Sequence, residues 1–131
     1  MSKYYDIFNA IILISFGSIC GCYIRFKAVN YINSISKIKY LAIFIVNTFA
    51  TFLLALVSNL IFNNTLIAFK DSIILFLMIG FLGSLSTFSS FILALQSLIN
   101  DKKWFHSLSF IMLSIVGGIF AAFLGFKLAS I

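Results

Sequence analysis

The sequence predicts an all-α integral membrane protein of four transmembrane helices, the third of them broken, and three observations carry that prediction. Apolar residues make up 63% of the chain against 9% charged, with a mean hydropathy of +1.17; soluble domains carry about 25% charged residues. The apolar residues gather in four stretches, about 7–26, 40–62, 72–99 and 105–128, each long enough to cross hydrocarbon at about 20 residues per helix. The third stretch contains GFLGSLSTFSSF at residues 80–91, where two glycines, four serines and a threonine fall within twelve positions. A bilayer core offers no water to stray backbone groups. Such a segment therefore persists only where neighbouring protein satisfies it or where it lines a site near the midplane.

The first stretch, 7–26, exceeds the apolar run of a secretory signal and ends at Arg25 and Lys27, so it reads as a retained span. Cys20 and Cys22 lie two apart on this helix and point in different directions, which excludes an internal pair. Gly17 and Gly21 stand one turn apart, a spacing that lets backbones approach closely in lipid. Residues 27–39 read as a polar connection, followed by the second stretch with Asn47 about two turns inside it and Thr51 one turn further on the same face. After the connection 63–71 comes the interrupted third stretch. The fourth carries two rows of small residues, Gly117, Ala121, Gly125 and Ser114, Gly118, Ala122. No connection is long enough for a second domain, so residues 1–131 read as one four-helix transmembrane domain. Four thin helices enclose little, and the small-residue stripes predict half of a dimer rather than a finished pore.

The net charge of +6 lies at the flanks of apolar runs, which points to headgroups and topology rather than nucleic acid. Lys3, Lys70 and Lys127 share one side; Arg25, Lys27, Lys37, Lys39, Lys102 and Lys103 share the other. The positive-inside rule then puts the first and third connections in the cytoplasm, by a mild bias.

Asp6, Asp71 and Asp101 are the only acids and all sit at span ends. A proton-coupled exchanger needs an ionisable group inside the membrane, and the chain has no glutamate at all. His106 has no carboxylate or second ligand predicted beside it, and no nucleophile, carboxylate pair or metal-ligand cluster supports an enzyme. What remains is uncharged donor chemistry. The Asn47 amide serves either a helix-to-helix hydrogen bond or an anion; Ser86, Thr87, Ser89 and Ser90 add hydroxyls. Phe88 and Phe91 share a helix face, as bulk toward lipid or as part of a site. Arg25 is either a snorkelling anchor or an electropositive entrance. Donors, an arginine and no buried acid suit an anion.

GSICGCYIRF, IVNTFATFLLA and GFLGSLSTFSSF, in this order on four spans, resemble the Fluc family of small fluoride channels, also called CrcB-like proteins. The resemblance implies a multi-pass protein of the cell membrane, an antiparallel dual-topology dimer with two pores, and passive movement of F⁻ in strong preference to Cl⁻, exporting fluoride that enters as HF. It implies that Asn47, Phe88, Phe91, Ser89 and Ser114 line the pore, with Arg25 at the vestibule. It also implies a structural Na⁺ held between subunits by the backbone carbonyls of Gly83 and Ser86. The chain departs from the family pattern in two places: Ala50 and Thr51 replace a usual glycine and serine, and Phe110 and Gly118 stand where the family tends to show a tyrosine and a serine. Some relatives pair two homologous chains of fixed opposite orientation, so both a homodimer and a hetero-dimer stay open.

Overall fold

A computed structural model describes residues 2–36, 38–63 and 69–130. Lys37, one of the residues in the topology count, lies outside the described residues, and so do the side chains of Lys3 and Lys39. The helices in order are α1 (Ser2–Ile35), α2 (Lys39–Asn63), α3 (Lys70–Ile73), a π-helical segment (Ile74–Leu82), α4 (Gly83–Leu85), α5 (Phe88–Asn100) and α6 (Trp104–Leu128). Among the described residues four crossings are long and apolar enough to span a membrane: Asp6–Ile35, Tyr40–Asn63, Lys70–Asn100 and Trp104–Leu128. Large apolar side chains such as Ile19, Phe49, Ile119 and Phe123 stand exposed along them, as expected where lipid is the solvent.

The first crossing departs from the sequence reading. Residues 27–35, read as a connection, continue α1 as helix to Ile35. The reason is packing: the segment holds no glycine or proline, and Ala28, Val29 and Ile32 lie against the buried cluster of Val46, Ala50, Leu82 and Leu85. At 34 residues and 1.5 Å per residue, α1 is about 50 Å long, well beyond the roughly 30 Å hydrocarbon core.

Two close helix pairs build the bundle. α1 packs on the π-helical segment, where Gly17, Gly21 and Gly80 remove the side chains that would keep the backbones apart. A Cβ on Gly17 would meet the carbonyl oxygen of Phe76 and the amide of Phe81, and one on Gly21 would meet the carbonyl oxygen of Phe81 and Oγ of Ser84. Hydroxyls close the seam: Ser18 Oγ donates to Gly80 O at 3.4 Å, and Ser84 Oγ lies 3.1 Å from Ser18 O. α2 packs on α6 in the same way, with Gly125 against the backbone of Phe52 and Leu56 and Asn59 Nδ2 donating to Phe126 O at 2.9 Å. One of the two small-residue rows on α6 is therefore used, through buried Ala121 and Gly125; Gly118, in the other row, has open space beside it.

The third crossing is broken, as the glycine and hydroxyl content predicts. The π-helical segment, a rare form that recurs at functional sites, runs into the single turn of α4. Ser86 (φ −81°, ψ 136°) and Thr87 (φ −142°, ψ 125°) are then extended before α5 begins.

Candidate functional site

An extended pair in mid-crossing leaves backbone groups without helical partners, and in lipid each needs another. Two side chains from different helices supply them. Asn47 on α2 makes a paired contact with Thr87: Thr87 N donates to Asn47 Oδ1 at 3.0 Å, and Asn47 Nδ2 donates to Thr87 O at 3.3 Å. Thr51, one turn on, donates from Oγ1 to Asn47 O at 2.9 Å. Of the two readings open for Asn47, the helix-to-helix bond is present, and one of its two amide N–H groups stays available.

Arg25 reaches the other side of the break. Its Nη1 donates to Ser84 O at 3.2 Å, so the guanidinium sits at the C-terminal end of the first half-helix, where a cation is favoured by the helix dipole. Asn47 and Arg25 then border one cavity of about 170 Å³ with Asn30, Thr87 and Ser90. Its size exceeds several times the roughly 30 Å³ share of one water, and its polar lining consists of donors and amides without an acid.

On the far side of the break the aromatic rings form a ladder. Phe88 and Phe91 stack with centroids 5.9 Å apart at 26°, Phe91 and Phe110 at 4.9 Å and 30°, and Phe110 meets Tyr40 at 5.3 Å and 54°. Phe91, stacked on both sides, turns its electropositive edge to whatever else approaches, while Phe88, at the end of the ladder, presents its edge and one open face. Phe110 is buried at 2% exposure, whereas Phe88 is 74% exposed at the break.

The other expected residues lie around the break in varied settings. Ser89 is exposed, with its Oγ 3.0 Å from Thr87 Oγ1; it borders neither the cavity at the break nor a larger one toward the end of the bundle, while Ser90 borders both. Ser114 donates its hydroxyl back to Phe110 O at 2.7 Å. Gly83 and Ser86 flank the break, and Thr87 N is diverted to Asn47. Backbone carbonyls beside such a break are the oxygen ligands that a hard cation takes. Tyr40 and Asn30 join the surroundings of the break although sequence reasoning does not single them out, and Ser90, one of the hydroxyls it does offer, joins them. The signal for Ser90 is its hydroxyl run; nothing local marks Tyr40, whose role comes from α6 lying beside α2.

Comparison with known proteins gives a consistent result. A family profile described as "CrcB-like protein, Camphor Resistance (CrcB)" matches residues 12–126. The chain is 37% identical over 120 residues to "Fluoride-specific ion channel FluC 2" of Prochlorococcus marinus (strain NATL2A), covering 92% of this chain and 97% of the relative. It is 35% identical over 119 residues to "Fluoride-specific ion channel FluC 1" of Synechococcus sp. (strain CC9902), covering 91% and 92%. It is 32% identical over 118 residues to "Fluoride-specific ion channel FluC 1" of Prochlorococcus marinus (strain MIT 9313), covering 90% of each.

Proposed function

The chain belongs to the CrcB-like protein family, and from that premise we propose that it is a fluoride-selective channel giving passive export of F⁻. It is a multi-pass protein of the cell membrane and a transporter rather than an enzyme. The observation that carries the proposal is the break at Ser86–Thr87, with donors on one side of it and stacked rings on the other, in a chain whose relatives are named for fluoride over nearly their whole length.

Fluoride is small and tightly hydrated, so a selective path replaces its water shell with close donors and still releases it. Arg25 gathers the anion into the cavity at the break. The free N–H of Asn47 donates to it there, in the orientation fixed by the amide's contact with Thr87. Beyond the break Phe88 and Phe91 offer ring edges, and the Ser90 hydroxyl, which borders the cavity, extends the lining, whereas Ser89 lies outside that cavity and Ser114 donates its hydroxyl to Phe110 O. Among the described residues no carboxylate borders the cavity at the break, where it would repel an anion.

Gly83 O and Ser86 O, which flank the break, would hold a structural Na⁺. Its charge would offset part of the anion's desolvation cost and join two broken crossings at one register. That role belongs with an antiparallel dimer, which the exposed Phe88 ring supports, since an aromatic site half open to lipid is completed by a second chain. The buried Phe110, in place of a polar residue, equally suits one member of a hetero-dimer.

Expression of the chain as the sole fluoride exporter in fluoride-sensitive cells tests the proposal. Growth in acidified fluoride medium is the expected result and removes the need for a second chain. Growth only on co-expression with a homologue establishes the paired form. Absence of growth in both, with protein in the membrane, overturns the channel reading.

A further inference from the structure

A second, larger cavity lies at the end of the bundle where α1 meets α2 and α5 meets α6, and the ion-contact residues leave it without a role. It measures about 750 Å³ and its polar lining includes Asn33, Ser90, Ser97, Asp101, Lys103 and His106. It shares Ile43 and Ser90 with the cavity at the break, so the two are adjoining parts of one groove. Its α5 wall follows Ser90, Ala94, Ser97 and Asp101, at helical spacings that keep them on one face.

The charges at this mouth are arranged. Among the described residues Asp101 is the one acid lining either cavity, and Lys103 Nζ lies 3.2 Å from its Oδ2. The turn between the helices holds the lysine in place. Lys102 N donates to Ile99 O and Lys103 N to Leu98 O, both at 2.9 Å, with Lys102 at φ 57°. This closure is the Schellman pattern. An exposed ion pair of this kind contributes little to stability; with side chains about half exposed, 55% and 54%, it is of that kind.

We propose that this cavity is a collecting mouth for small hydrated anions, and that Lys103 serves it by cancelling the charge of Asp101. The inference rests on the channel reading. A negative charge without its partner at the entrance of an anion path lowers the local concentration of the ion it should admit, and its reach is set by the screening length, roughly 10 Å at 0.1 M salt. Lys103 therefore controls entry rate without touching the ion-contact residues.

The test compares wild type, Lys103→Gln, Asp101→Asn and the double variant in fluoride efflux from liposomes, at about 20 mM and about 500 mM background salt. At low salt Lys103→Gln is expected to slow efflux about two- to fivefold, and the double variant to return to the wild-type rate. High salt is expected to erase the difference, and the four proteins to melt alike in detergent. A Lys103→Gln rate equal to wild type at low salt, or a loss that persists at high salt or in the double variant, overturns the mouth while leaving the channel standing. A wild-type protein that passes no fluoride overturns the channel reading and this inference with it.

Discussion

Replacing Asn47 with alanine removes both hydrogen bonds that hold Thr87 and leaves its N–H without a partner beside the break, while its C=O, at the N-cap of α5, keeps the first bond of that helix. In water-soluble proteins an orphaned buried group costs about 1–3 kcal/mol, whereas hydrogen bonds between membrane helices average about 0.6 kcal/mol. Thr87 is half-buried and keeps some access to neighbouring hydroxyls, so the two bonds together are worth about 1–4 kcal/mol. That loss falls on the residue that starts α5, one position before Phe88, so the rings should lose their register even if the bundle survives. Asn47→Asp separates the two roles: it can still accept from Thr87 N, but it faces Thr87 O without a donor and places a charge in an anion's path. Efflux of fluoride from liposomes, paired with unfolding in a mixed-detergent titration, reads both quantities. Asn47→Ala is expected to lose stability in that range and at least tenfold in efflux; Asn47→Asp is expected to lose efflux completely. Near-normal efflux from either variant, with stability unchanged, refutes the clamp.

Gly21→Ala drives a methyl into Phe81 O and Ser84 Oγ and is expected to cost about 1–3 kcal/mol as overpacking, read as a lower melting point in detergent, with Gly118→Ala on α6 as the silent control. Phe91→Ala removes two ring contacts, worth about 0.5–1.5 kcal/mol each, and is expected to suppress efflux more than it lowers stability. Arg25→Gln, which loses the charge beside Ser84 O, is expected to slow efflux most at low salt, where screening is weakest. Lys102→Gly relieves a left-handed backbone position and is expected to raise stability by about 1 kcal/mol, measured by the same melting assay.

The broken crossing is legible in residue chemistry alone, because glycines and hydroxyls concentrated inside a long apolar run loosen a helix that lipid would otherwise enforce. The four spans are equally legible, since hydropathy is a local property. The end of α1 is not: residues 27–35 look polar enough for a connection, and only their packing on the Val46 and Leu82 cluster keeps them helical. The partner of Arg25 is set by the close approach of α1 to the third crossing, which depends on three glycines meeting across 59 or more residues of chain. Asn59, at 6% exposure and bonded to Phe126 O, is silent in the sequence for the same reason: a buried amide shows its purpose only when the facing helix is known. The choice between Ser89 and Ser90 as the residue facing the cavity turns on where α5 restarts after Thr87, and a helix start in an unwound segment has no reliable local mark.

The claim on which the rest depends is that the break admits a bare fluoride and rejects a larger halide. Vesicles holding the purified protein and loaded with both fluoride and chloride, opened to efflux by a potassium ionophore and followed with two ion-selective electrodes, test it in one trace. Fluoride should leave rapidly while chloride stays; equal release of both, or release of chloride alone, contradicts the account.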